Sequence, residues 1–170
     1  MKAYMRMMAG YNQWANERLL DDCQHLSEEE YHGDLSAYFR SIHGTLDHLL
    51  VADSIWLVRF SGEGTPFDTF DMTLTDNFEA LKAERRKLDA RLIAYVDHIS
   101  EADLMRPILY RTIRNPVVIQ QAMGAALVHV FNHQTHHRGQ VHTFITMLGK
   151  TPHPLDLVHY QRETGLSIAA

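Results

Sequence analysis

The amino-acid sequence predicts an all-α protein, a four-helix bundle with a long crossover connection. Four stretches carry apolar side chains at steps of three and four residues, the period of an amphipathic helix. Segments rich in glycine, proline or short polar residues separate the stretches, and such segments end helices. With 45% apolar and 22% charged residues, the 170-residue chain has the composition of one globular domain rather than of a disordered protein.

The first two predicted helices span residues 2–23 and 37–60. Apolar residues follow one face of the first helix, whereas they cover the second over a broad arc that is typical of a heavily buried helix. Two glycines and a proline in residues 61–66 end the second helix.

The third predicted helix spans residues 75–99 and keeps heptad spacing, which only Arg85 interrupts. Residues 100–103 resemble a turn. The segment 107–116 is rich in Ile, Leu, Tyr and Thr, so it fits either a short hairpin or an extended crossover, and the periodicity leaves both open.

The fourth predicted helix spans residues 118–148. Gly149 and two following prolines end it. We expect the tail, 156–170, to pack back on the bundle.

Charge and cysteine content exclude several classes of protein. The net charge is −5 and no basic stripe appears beyond residues 85–87, so we expect no nucleic-acid binding. The single cysteine, Cys23, cannot form an internal disulfide, and the adjacent acids Asp21 and Asp22 disfavour a reactive thiolate. No apolar run approaches the ~20 residues that span a membrane, and no signal peptide is apparent, so we expect a cytoplasmic protein.

The chain has twelve histidines, and five lie close together in the fourth helix, at positions 129, 133, 136, 137 and 142. Residues four apart lie one turn above each other, so His133 and His137 can direct two imidazoles at one metal ion. On a helical wheel both fall in or beside the apolar seam, whereas His129 and His136 are rotated roughly 80–100° from His137. Imidazole suits zinc, nickel, iron and copper.

A catalytic metal ion usually takes three protein ligands, so a third must come from another helix. His48 lies at the edge of an almost wholly apolar helix and His43 lies nearer a polar face, which modestly favours His48. No glutamate follows the first histidine of the pair, so the metalloprotease pattern is absent. The remaining candidates for the third ligand lie near predicted helix ends: His25, His32 and His98.

Three strings and a closing pair resemble the DinB/YfiT-like superfamily. They are YNQWANERLL at 11–20, TLDHLLVAD at 45–53 with Trp56 one turn on, HQTHHRGQ at 133–140, and Asp156 followed by Tyr160. The resemblance implies a four-helix bundle with a long crossover, often a homodimer. It also implies a zinc or nickel ion on His48, His133 and His137.

Characterised members of the superfamily include metal-dependent transferases that use low-molecular-weight thiols. The resemblance therefore implies a small-molecule substrate, a thiol cosubstrate and a role in detoxification or stress response. Arg138 could hold an acidic group of the substrate, or pair with Asp47 or Asp53 instead. We interpret six residues as pocket residues or as supports of the ligands: Tyr11, Trp14, Trp56, His129, His136 and Arg138.

Two other functions stay open at this point. The metal ion could staple the helices of a non-catalytic stress-response protein, or it could activate water in a hydrolase.

Overall fold

The computed structural model describes residues 1–70 and 72–167. Its elements in chain order are α1 (Lys2–Cys23), α2 (Glu28–His32), α3 (Ile42–Ser61), α4 (Phe78–His98), α5 (Glu101–Met105), β1 (Pro107–Arg111), β2 (Val118–Ala122), α6 (Met123–Met147) and α7 (Leu157–Glu163).

Four long helices form the bundle. Helix α1 packs against α4 and α6, and α3 packs against the same two helices. Helices α1 and α3 therefore lie on one diagonal of the bundle, and α4 and α6 lie on the other. Apolar side chains from all four helices share one core, for example Met5, Leu50, Leu92 and Leu127. The predicted all-α bundle is confirmed.

A buried charge network crosses the middle of this core. The Arg85 guanidinium lies 2.8 Å from an Asp53 oxygen and 3.0 Å from an Asp89 oxygen, and all three side chains are buried. The side-chain amide of Asn16 donates to Asp89 at 3.0 Å. The residue that interrupts the heptad pattern thus joins α3 to α4 through charge.

A second buried arginine extends the network to α6. Arg138 donates to the Asn16 side-chain oxygen at 3.2 Å and to Gln134 Oε1 at 3.1 Å, and the Gln134 amide donates to Asp53. The two arginines and two aspartates balance in formal charge. All four long helices contribute to the network.

Two helices begin later than predicted, because a side-chain cap determines where each of them starts. The second long helix begins at Ile42 rather than at 37, since the Ser41 hydroxyl accepts the Gly44 N–H at 3.0 Å. The third begins at Phe78 rather than at 75, where Asn77 caps the Ala80 N–H.

The prediction that residues 118–148 form one helix is wrong at its start. Strand β2, Val118–Ala122, pairs antiparallel with β1, so a hairpin does form, but only its first strand lies within 107–116. Residues 100–103 are not a simple turn, because Ser100 caps α5 with a capping box. The tail does pack back, with α7 against α1; residues 168–170 lie outside the described part. None of the described helices is long and apolar enough to cross a membrane.

Candidate metal centre

Three imidazoles converge between helices α3 and α6. His48 Nε2 lies 3.4 Å from His133 Nε2, and His133 Nε2 lies 3.1 Å from His137 Nε2. One ring nitrogen from each of the three lies within 4.8 Å of the others. His137 is buried, and His48 and His133 are partly buried. We call this set the histidine cluster.

The spacing of the nitrogens fits a metal ion. Zinc–nitrogen bonds are about 2.0–2.1 Å long, so two imidazole nitrogens on a tetrahedral ion lie about 3.3–3.4 Å apart. The two Nε2 separations in the cluster are 3.4 and 3.1 Å. His133 Nε2 can donate at most one hydrogen bond, so hydrogen bonds among the three imidazoles cannot pair all of the converging nitrogens. A metal cation can accept the lone pairs of all three.

Local electrostatics keep His133 and His137 uncharged at neutral pH. Burial and, to a smaller extent, the neighbouring imidazoles of His137 and His48 together lower the pKa of His133 to about 3. Burial also lowers the pKa of His137, although the hydrogen bond to Gln140 opposes that shift. Neutral imidazoles are the form that binds metal ions.

Gln140 orients one member of the cluster. Its Oε1 accepts a hydrogen bond from His137 Nδ1 at 2.7 Å. This bond places the proton on Nδ1 and leaves the Nε2 lone pair directed at the cluster. Gln140 is one turn beyond His137 on the same helix, so the helix itself sets this contact.

Replacing Gln140 with alanine should weaken zinc binding about 10- to 100-fold, because His137 loses its fixed tautomer and orientation. Competition with a chromophoric chelator measures the affinity. Gln120→Ala, on β2, is a matched control that should leave it unchanged. An unaltered affinity in Gln140→Ala would show that the hydrogen bond does not position the ligand.

Aromatic rings surround the histidine cluster. Phe39 stacks on His48 with ring centroids 3.9 Å apart, and its edge meets His137 at 5.4 Å. Phe70 lies 6.3 Å from His48, and His136 lies 4.8 Å from His137. The segment before α3 thereby covers one face of the cluster.

The row of rings continues from the cluster across side chains of α6, α3 and β1. His129 lies 5.8 Å from His133 and 5.2 Å from Trp56, between ring centroids. Trp56 in turn meets Tyr110 of β1 at 5.2 Å. Of the six residues interpreted as pocket or support, His129, His136 and Trp56 therefore lie beside the cluster or in this row.

The other three of those six lie elsewhere. On α6, Arg138 is rotated about 100° from His137, and its donors face Asn12, Asn16 and Gln134 rather than the cluster. It does not pair with Asp47, which instead accepts the backbone N–H groups of residues 74 and 75.

Tyr11 and Arg138 line a separate cavity of about 650 Å³ between α1, α6 and the C-terminal segment. Trp14 donates to Glu163 of α7 at 2.7 Å. The sequence did not distinguish these two sides of α6, because the wheel gives directions around one helix but not the neighbours of that helix.

Two of the four alternative third ligands, His43 and His32, make contacts other than with the histidine cluster. His43 contacts the Tyr31 hydroxyl with one ring nitrogen and the Thr75 carbonyl with the other, at 3.3 and 2.9 Å. The His32 ring lies 4.6 Å from that of His43, tilted against it. Burial raises the pKa of the Cys23 thiol, which agrees with the prediction of an unreactive cysteine.

Sequence reasoning missed several residues beside the cluster or in the row of rings, namely Phe39, Phe70, Tyr110 and the orienting Gln140. A signal existed only for Gln140, whose position three residues after a candidate ligand suits a supporting hydrogen bond.

These observations define a class of protein: a helical bundle in which three histidines converge between two long helices. The chain belongs to the DinB family, whose family model matches residues 1–167.

Two relatives from Bacillus subtilis illustrate the match. The chain is 29% identical over 155 residues to a protein named Protein DinB from strain 168, covering 86% of this chain and 87% of that one. It also resembles the crystal structure of a DinB-like protein with a TM-score of 0.63 at 17% identity, covering 87% of this chain and 95% of that one. The second likeness supports the fold alone.

Proposed function

We propose that this protein binds one divalent ion, zinc or nickel, at His48, His133 and His137, and uses it for metal-dependent thiol S-transfer. The proposal rests on the convergence of three Nε2 atoms. His133 Nε2 lies 3.4 Å from His48 Nε2 and 3.1 Å from His137 Nε2. Three protein ligands leave a position for substrate, as in catalytic rather than structural zinc sites.

A bound divalent ion supplies thiolate at neutral pH, because it lowers the pKa of a coordinated thiol. In the reaction, a C–S bond forms between the thiol and an electrophilic carbon while the bond from that carbon to its leaving group breaks. The thiol proton departs with the leaving group. The side chains contribute neutral imidazoles, the Gln140 contact that fixes His137, and the Phe39 ring that shields one face.

The contacts of the two ligands on α6 favour this reaction over hydrolysis. Within the described ranges, His133 and His137 contact other imidazoles, the Phe39 ring and the Gln140 amide, and none of these groups is a carboxylate. Metal-assisted hydrolysis normally uses a general base to accept the proton of water. A thiol, which is far more acidic than water, needs that base less.

The core favours catalysis over a stapling role. Apolar residues of α3 and α6 are buried on both sides of the histidine cluster, for example Leu46, Leu50, Phe131 and Val141. A core of this extent should hold the helices together without the ion. Zinc-stapled domains, in contrast, are unfolded when the metal is removed.

The test is conjugation of an aryl halide such as 1-chloro-2,4-dinitrobenzene with glutathione, bacillithiol or mycothiol. Zinc- or nickel-loaded protein should form the thioether with at least one thiol, and chelated protein and His137→Ala should not. No thioether with any of the three thiols under metal-replete conditions would contradict the transferase assignment.

Thermal melting with and without chelator distinguishes a catalytic metal ion from one that only holds the helices together. The catalytic proposal expects the chelated protein to keep its helical circular dichroism and a cooperative transition. Loss of helicity on chelation would favour the staple instead. Assembly as a homodimer, a cytoplasmic location and a role in stress response stay predictions.

A further inference from the structure

We propose that Trp56, Arg59 and Tyr110 form an anion subsite that binds a carboxylate of the thiol or of its adduct. Ring contacts through His129 connect the subsite to the histidine cluster. This inference rests on the proposed function, since it assigns the class of cosubstrate: an elongated, peptide-like thiol that carries a carboxylate away from its sulfur.

Arg59 packs against two aromatic rings, Trp56 and Tyr110, that meet edge to face. Its guanidinium carbon lies 4.7 Å from the Trp56 ring centroid and 4.4 Å from that of Tyr110. One Nη donates to the Arg111 carbonyl at 3.1 Å, which fixes the side chain further. A guanidinium stacked in this way is already ordered, so little side-chain entropy is lost when it binds an anion.

Within residues 1–70 and 72–167, no carboxylate forms an ion pair with Arg59. Arg6, Arg18, Arg85 and Arg86, in contrast, each form one. Arg59 is partly exposed, and the contact with the Arg111 carbonyl uses only one of its five N–H groups. The other donors suit the two oxygens of a carboxylate.

The anion subsite adjoins the histidine cluster through ring contacts. Trp56 lies 5.2 Å from His129, and His129 lies 5.8 Å from His133. His129 is exposed and His133 is partly exposed, so a ligand can lie over this row of side chains.

The distance between the histidine cluster and the anion subsite determines how long a ligand must be to reach both. Trp56 and Arg59 follow His48 by eight and eleven residues on α3, which is about 12 and 16 Å of helix. Helical side chains tilt toward the N-terminus, and Arg59 accordingly lies over Trp56 and leans toward the cluster. A thiol about three residues long, roughly 10 Å when extended, can bridge the remaining gap.

The first experiment compares glutathione with its diethyl ester, which keeps the sulfur but has no free carboxylate. Titration of cobalt-substituted protein, followed by the thiolate-sensitive visible bands, should give about tenfold tighter binding of glutathione. Arg59→Ala should abolish that ratio while leaving ester binding and metal content unchanged, and Arg59→Lys should restore part of it. Arg106→Ala, an exposed arginine with the same charge change, is the matched control. Equal ratios in wild type and Arg59→Ala would overturn the subsite.

A second readout does not depend on thiol coordination. S-Methylglutathione, which has no thiol to ionise, should shift the Trp56 indole N–H resonance in the nitrogen-15 spectrum of the zinc-loaded protein. The diethyl ester of S-methylglutathione should shift it less, and Trp14, in the distant contact with Glu163, is the internal reference. A carboxylate-dependent shift at Trp56 without conjugation activity would reject the transferase and keep the subsite. Activity without any such shift would reject the subsite alone.

Discussion

Replacing His133 with alanine should lower the affinity for zinc or nickel by more than about 100-fold. Loss of a hydrogen bond that merely supports a ligand already weakens metal sites 10- to 100-fold, and His133 is proposed as a ligand itself. It also occupies the centre of the cluster, since its Nε2 is the atom near both partners, at 3.4 and 3.1 Å. Its removal therefore leaves two imidazoles without their shared neighbour. Elemental analysis of the purified protein and chelator competition measure the change.

His142→Ala is the matched control, because it removes an imidazole from the same helix. His142 lines the cavity beside Arg138 instead of facing the cluster. This variant should keep one ion per chain and the wild-type affinity. Circular dichroism should show the same helicity in both variants, since the surrounding core is apolar. Stoichiometric metal of undiminished affinity in His133→Ala would reject the proposed site.

How far the sequence predicted this site depends on which contacts are local to one helix. The wheel of α6 separated His133 and His137 from His129 and His136, because spacing on one helix determines direction around that helix. The choice of His48 over His43 needed the family resemblance, since periodicity only modestly favoured it. The physical reason for that choice lies in tertiary contacts, because one ring nitrogen of His43 contacts Tyr31 and the other contacts Thr75.

The fold shows the same division. The four long helices follow from apolar periodicity, whereas the hairpin of β1 and β2 depends on pairing between segments that each look ambiguous alone. Arg85 illustrates the limit most clearly. In the heptad pattern it is an interruption. Its partner Asp89 lies four residues on along the same helix, whereas only the packing of α3 against α4 brings the Asp53 carboxylate to it.

Arg85→Met should destabilise the protein by about 3–5 kcal/mol at neutral pH, because it leaves two buried carboxylates without their cation. Asp53 and Asp89 are both buried, and each lies within 3.0 Å of the guanidinium. Urea unfolding followed by circular dichroism measures the loss. Arg91→Met, at an exposed position on the same helix, should change stability by well under 1 kcal/mol.

The pH dependence identifies charge as the cause. Burial already raises the pKa of Asp53 to about 6 in the native protein, with Asp89 raising it and Arg85 opposing the shift. Without Arg85 this pKa must rise further, while in the unfolded chain it stays near the ordinary ~3.9. The folded form then binds the proton more tightly, so stability falls as pH rises through the folded pKa and is regained on acidification. The deficit of Arg85→Met relative to Arg91→Met should therefore shrink between pH 7.5 and 5.

A double variant separates charge from packing. In Arg85→Met with Asp53→Asn, the buried network keeps Asp89 and Arg138, whose formal charges cancel and which Asn16 bridges. The double variant should thus be more stable than Arg85→Met at pH 7.5 and nearly insensitive to pH over the same range. Equal losses in the single and double variants, without pH dependence, would show that the shape of the arginine matters rather than its charge. The network would then contribute packing to the bundle that positions His133 and His137, and its ionic character would be incidental.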